Sequence, residues 1–431
     1  MNSTTSPARR RRLGAAPALA LAVTLAGSLA SLDASAQDRD AAPLSLAEAV
    51  LIAVTAEDPA LASFDSRVEA LEELAIADAQ LPDPTVRGTL ANFPTDTFRY
   101  DEEPMTQIQA GLRQEFPAGR TLEARGDRRR AEAGVARARK ELALRGIERD
   151  VRMAWLDLYS STTAVGLVEE SRRAVGEMID ALSASFGAGR LNAQDVLRAE
   201  LELSLLDDRL AELARRGDAA RADLSRYLGP DAARPLSPSL PDFAAPPLLA
   251  EMEGELIDHP AVRIEDAQIV VAERGVTLAE QAYRPSWAIE GGYGVRGGER
   301  ADLASIGVTV SLPLFAGDRQ DRRRSAAVRE RSAEQFDRAA MLLDLRVELE
   351  RAHADWLRLG ERVALYQTAV IERANEAAEA SISSYASGVT DFPELIRAQL
   401  AELDAALVLL ELRVAQAKAW VALDYLAGDL Q

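Results

Sequence analysis

The only histidines in the 431 residues are His259 and His353, and there is no cysteine. A transition-metal site of ordinary spacing needs several imidazoles or thiolates to converge, and covalent catalysis needs a base beside its nucleophile. Neither arrangement can be assembled from these residues. His259 reads as a cap at a His-Pro turn and His353 as a packed or rim residue in the middle of a helix. No catalytic residue, cofactor or metal ligand is assigned, and an enzyme is not expected. What remains is charge, placed alike at two positions. Asp195 lies six residues after Gly189 and Glu394 six after Gly388, and Arg198 and Arg397 follow each acid by three. As helical i,i+3 pairs these contribute only about 0.2–0.5 kcal/mol each.

The two places belong to a longer repeat. "GRLNAQDVLRAEL" (189–201) is echoed by "GVTDFPELIRAQL" (388–400), with Arg198 matching Arg397 and Leu201 matching Leu400 at an offset of 199 residues. Asp58-Pro59-Ala60 is matched by His259-Pro260-Ala261, "EFPAGR" (115–120) by "PLFAGDR" (313–319), Trp155 by Trp356, and "RYLG" (226–229) by "DYLAG" (424–428). The domain reading is therefore a tandem duplication, 37–228 and 248–431, joined by a proline-rich linker at 229–247. The period is far too long for a solenoid unit, so each half is an architectural module.

Residues 1–36 stand apart. Arg9–Arg12 precede an apolar run and Ala34-Ser35-Ala36 supplies an A-x-A site, which together read as a secretory signal peptide cut before Gln37. Its removal takes four Arg and one Asp and moves the formal charge from −19 to −22. So acidic a chain is not expected to grip nucleic acid or anionic headgroups by bulk electrostatics. Beyond the signal no apolar stretch reaches the roughly 18 residues of a spanning helix. An exported chain of this kind crosses a membrane only as strands.

Each half carries a very long helical stretch. No proline occurs from 118 to 229 or from 314 to 392. Leu342, Leu345, Leu349, Ala352, Trp356, Leu359, Val363, Tyr366 and Val370 alternate steps of three and four, as do Leu400, Leu403, Leu407, Leu410, Val414, Ala417 and Val421. Such heptads call for coiled-coil packing. One helix from about Arg319 to Tyr385 would rise roughly 100 Å at 1.5 Å per residue. The glycines sit where each helix reverses, giving antiparallel hairpins with tips near 187–194 and 386–393.

Two strand pairs precede the hairpins, at about 85–93 and 105–117 and at about 286–296 and 304–314. In the last, Ile306, Val308, Val310, Leu312 and Leu314 alternate with Ser305, Gly307, Thr309 and Ser311. About ten residues suffice for a tilted strand to cross a bilayer. The pairs look isolated from each other, and a lone hairpin is marginally stable. Four strands cannot close a membrane barrel, but three chains would supply twelve, an even number of the kind such barrels use. The expected fold is thus mainly α with a small β part: an α-barrel of coiled-coil hairpins continued by a trimeric 12-stranded transmembrane β-barrel.

With these features in this order the mature chain resembles the TolC-type outer-membrane efflux proteins. The paired tips "FGAGRLNAQDVLRAELEL" and "YASGVTDFPELIRAQLAEL" and the strand pairs before "EFPAGR" and "PLFAGDR" carry the likeness. The stretch "LPDPTVRGTLANFP…MTQIQAGLRQEFP" (81–117) looks like the branch associated with heavy-metal export, particularly of copper and silver. The resemblance implies a homotrimeric duct in the Gram-negative outer membrane, embedded in its lipid and extended through the periplasm. Its implied partners are a periplasmic adaptor and an inner-membrane pump of the resistance-nodulation-division type. It also implies that Asp195 and Glu394, with Arg198 and Arg397, surround the periplasmic aperture, and that Gly189, Leu191, Gly388, Val389 and Thr390 form adaptor-docking tips. Some relatives carry an acylated N-terminal cysteine, which this chain lacks. The alternative, a periplasmic coiled-coil adaptor or scaffold, would show one hairpin beside compact β domains and would not need strands of bilayer length.

Overall fold

The computed structural model describes residues 42–187 and 193–428. The signal sequence and its cleavage site lie outside them. In the first half, α1 (Leu46–Thr55) and α2 (Pro59–Asp78) precede β1 (Thr85–Ala91), β2 (Gln107–Phe116), α3 (Thr121–Gly187) and α4 (Ala193–Leu228). In the second, α5 (Leu249–Glu255) and α6 (Pro260–Gln281) precede β3 (Ser286–Arg296), β4 (Leu303–Ser311), α7 (Gln320–Leu365), α8 (Ile371–Ala386) and α9 (Phe392–Ala427). Among the described residues no helix is long and apolar enough to cross a membrane.

The halves begin alike for a local reason. The Asp58 carboxylate accepts from the Ala60 N–H at 2.7 Å, with Pro59 opening α2. His259 Nδ1 accepts from the Ala261 N–H at 3.2 Å, with Pro260 opening α6. Each satisfies a backbone donor that the first helical turn leaves unpaired, while proline fills a position where no N–H is needed.

The 67 residues of α3 extend about 100 Å. In the second half the expected single helix is interrupted by a π turn, Tyr366–Val370, between α7 and α8. The apolar stripe explains it. Val363 and Ala378 are the successive buried positions on either side of it, fifteen residues apart and so one more than two heptads. A π turn takes up one residue more than an α turn and so returns the stripe to the same face.

The strand pairs do not stay apart. β2 pairs antiparallel with β3 from Gln107↔Arg296 to Phe116↔Trp287, which merges both hairpins into one sheet of order β1-β2-β3-β4. Phe116 stacks on Trp287 with ring centroids 4.0 Å apart. Local spacing could not reveal this pairing, because it joins segments nearly two hundred residues apart.

The core lies between the helices. The heptad positions Leu345, Leu349, Leu403, Leu407, Val414 and Val421 are all buried. Trp155 on α3 is fully buried, stacks on Tyr159 at 5.4 Å, and donates its indole N–H to the Leu44 carbonyl at 3.1 Å. The proline-rich segment after α4 is more than a tether. Leu44 forms a parallel bridge with Leu236, Trp420 Nε1 donates to the Ala244 carbonyl at 3.0 Å, and Phe243 packs on Trp420 at 5.0 Å. Its apolar residues fasten it across α3 and α9 as an extended strap.

Candidate functional site

The second tip is built by three adjacent devices. α8 stops at Ala386, and Gly388 takes φ +73°, a left-handed conformation that other residues adopt only with strain. The Gly388 and Val389 N–H groups return to the Tyr385 and Ser384 carbonyls at 3.0 and 2.9 Å. Asp391 then caps α9 by accepting from the Glu394 N–H at 3.3 Å, with Pro393 in the first turn. Phe392, buried behind the turn, meets Tyr385 edge-on at 6.2 Å and locks the reversal to α8.

Within this frame Glu394 is exposed and ion-paired with Arg397. Val389 stands out at 78 % exposure, whereas Thr390 is half-buried with its hydroxyl turned inward. At the first tip Gly189 and Leu191 lie outside the described residues. Asp195 sits half-buried in the first turn of α4, and Arg198 is exposed. No ion pair joins these two, so of the two i,i+3 pairs expected from the sequence only Glu394–Arg397 forms among the described residues. Burial raises the Tyr385 hydroxyl pKa first, and the charge of Asp195 raises it further. A carboxylate of the first hairpin therefore lies close to the turn of the second. That proximity was not legible in the repeat, which shows likeness and not contact.

At the far end of the helices the sheet sorts its side chains by face. Antiparallel partners point the same way, so the register lays out both surfaces. One bears Val86 and Leu90 on β1, Ile108, Leu112 and Phe116 on β2, Trp287, Ile289, Tyr293 and Val295 on β3, and Ile306, Val308 and Val310 on β4. Gln114 interrupts it. The other bears Arg87, Gln109, Arg113, Glu115, Glu290, Ser305 and Thr309. Ile306 is 87 % and Val86 79 % exposed, and no helix packs extensively on either face. Water would penalise so wide an apolar surface, while lipid would not. β1 and β4 are open edges.

The histidines have the structural roles expected. His353 is half-buried on α7. His259 is 2 % exposed, its Nε2 lies 3.2 Å from the Tyr425 carbonyl, and its ring meets Tyr425 edge-on. With Nδ1 accepting, Nε2 must carry the proton, which fixes the neutral tautomer. Burial, then the nearby Arg145 charge, holds its pKa down to about 4, against a partial upward pull from the Tyr425 carbonyl. The unfolded chain binds this proton near the ordinary 6.5, so the contribution to stability is complete above 6.5 and is lost as pH falls toward 4. The expected loss is up to about 3 kcal/mol. Thermal melts between pH 7.5 and 4.5 should show this decline, and His259→Asn, which can cap without titrating, should flatten it. A parallel slope in the variant would remove His259 as its source.

Among the described residues no group of three or more His, Cys, Asp or Glu side chains could hold a metal ion. The fold and its surfaces define a class: long helical hairpins continuing from an amphipathic four-stranded sheet with two open edges. Residues 254–429 match the outer membrane efflux protein family. No curated protein matches it in sequence. Solved structures match it in fold over most of its length. A membrane protein from Pseudomonas aeruginosa is 18% identical with a TM-score of 0.73, over 89% of this chain and 93% of that one. The Campylobacter jejuni CmeC outer membrane channel is 13% identical with a TM-score of 0.73, over 89% and 85%. VceC, an outer membrane protein of Vibrio cholerae, is 15% identical with a TM-score of 0.71, over 90% and 97%.

Proposed function

We propose that three copies of this chain form the exit duct of a tripartite efflux system in the outer membrane. The observation that carries it is the sheet: a continuous apolar face, a polar opposite face and two unpaired edges on a chain whose second half matches the efflux family. Joining β4 of one copy to β1 of the next closes twelve strands, turns the apolar face to lipid and leaves no edge. The hairpins continue the tube into the periplasm, where a periplasmic adaptor meets the tips and an inner-membrane pump supplies cargo and energy. The family is one of efflux channels, and the conduit is passive. The likeness of 81–117 to heavy-metal exporters makes metal cations one cargo to assay. Their selection belongs to the pump. An adaptor or scaffold has no use for the exposed apolar face.

In this reading Asp195 and Glu394, with Arg198 and Arg397 beside them, ring the periplasmic mouth six acids strong, and Gly388 and Val389 with the first tip's Gly189 and Leu191 offer the adaptor its grooves. Converging carboxylates favour cations and repel anions. Detergent extracts of outer membranes should yield a trimer, and planar bilayers should show it conducting with cation preference. Asp195→Asn combined with Glu394→Gln should weaken that preference and leave assembly intact. A doubly neutralised trimer with unchanged ion preference would place the acids elsewhere.

A further inference from the structure

The polar face of the sheet holds a cation that nothing among the described residues neutralises. Arg87 lies at the middle of β1, exposed, with no ion pair or hydrogen bond to its side chain among the described residues. Its cross-strand neighbours are glycines, Gly111 on β2 and then Gly292 on β3, followed by Ser305 on β4. None supplies an acceptor charge or a wall. The two carboxylates on that face of β2 and β3 are Glu115 and Glu290, and Glu290 lies 3.8 Å from Arg113. Asp83, the nearest acid along the chain, is four residues away, about 13 Å on an extended strand.

Closing the barrel does not supply a partner either. β1 is an edge, so Arg87 comes to lie beside β4 of a neighbouring copy. Residues of β4 on the polar face are Leu303, Ser305, Gly307, Thr309 and Ser311. In every register that keeps the apolar face in lipid, β4 sets no carboxylate of its own beside Arg87; the one acid near that edge is Glu290, which leans over Gly307 and already faces Arg113.

The geometry points to Arg87 as a charge-selecting residue of the duct: three unpaired guanidiniums ring the barrel lumen and draw anionic solutes through the exit end of an otherwise acidic protein. This rests on the trimeric duct reading given above. Fixed charges lining a narrow aqueous passage set the local concentration of mobile ions, and rings of arginine favour anions. The glycines at its level leave the guanidinium nothing to fold against, so its charge stays in the passage. The ring opposes in sign the acids assigned to the periplasmic mouth, which makes the duct bipolar along its length.

Reversal potentials in planar bilayers test the assignment, using wild-type, Arg87→Gln and Arg87→Lys trimers in KCl gradients. At about 0.1 M salt, where screening reaches about 10 Å, Arg87→Gln should raise the K⁺/Cl⁻ permeability ratio about two- to threefold. At about 1 M, with screening near 3 Å, the difference should fade. Arg87→Lys should stay with the wild type at both salts. An unchanged ratio for Arg87→Gln at low salt, or a lysine variant that follows the glutamine one, overturns the assignment. A wild-type trimer that does not conduct overturns the duct reading, and this one with it.

Discussion

Trimers should be lost when Val308 is replaced by arginine and retained when Thr309 is. The two residues are neighbours near the middle of β4, both exposed, and their partners separate them: Val308 pairs with Ile289 on the apolar face and Thr309 with Ala288 on the polar one. An arginine near the bilayer midplane on the lipid face costs about 2–4 kcal/mol. Each trimer carries three copies, so the penalty is roughly 6–12 kcal/mol per assembly if the sites act independently. That is comparable with the entire stability of an ordinary domain. Thr309→Arg faces the water-filled lumen and should assemble within about twofold of wild type. Quantifying trimer in outer-membrane fractions decides the matter. Equal yields of the two variants would mean that the faces are reversed or that the sheet does not meet lipid.

The second large effect lies in the helices. Trp155→Ala should destabilise the protein by about 3–5 kcal/mol, the usual range for truncating a buried aromatic. The indole is fully buried, stacks on Tyr159, and satisfies the Leu44 carbonyl at the start of the described chain. Its removal therefore leaves a cavity and takes one of two donors from the Leu44 carbonyl, which keeps the Ser237 N–H at 3.1 Å. Trp155→Phe keeps most of the packing and loses the hydrogen bond, so its loss beyond packing should be nearer 1 kcal/mol. Denaturant midpoints of the detergent-solubilised protein separate the two. A Trp155→Ala midpoint equal to wild type would show that the strap and the N-terminal contacts lie outside the cooperative unit.

Sequence was most informative where physics is local. Heptad spacing at Leu345, Leu349 and Leu403 to Val421 marks which helical face is buried, because a helix repeats its faces every few residues whatever surrounds it. Alternation in Ile306, Val308 and Val310 marks a strand for the same reason. The His-Pro cap at 259 is legible because its donor is two residues away. Contacts between distant segments were not legible. Pairing of β2 with β3, the strap held by Leu44 and Phe243, and the nearness of Asp195 to Tyr385 all depend on how the halves are laid together. The i,i+3 spacing of Asp195 and Arg198 permitted an ion pair without requiring one, since so weak an interaction yields to any competing geometry. The π turn sits between these cases: the fifteen-residue step from Val363 to Ala378 is written in the sequence, but burial was needed to show it.

The open edges of β1 and β4 have a consequence for how this protein comes into being. In the proposed trimer their backbone donors and acceptors find partners only on other copies, so the final hydrogen bonds of the fold are bimolecular events. Folding and assembly then become one process, and a lone chain is an intermediate and not a finished product. Its population depends on how many copies reach the same patch of membrane before proteases or chaperones intervene. Dilution should unfold this sheet as surely as heat, and the cell must keep an apolar face four strands wide from meeting the wrong partner while the third copy arrives.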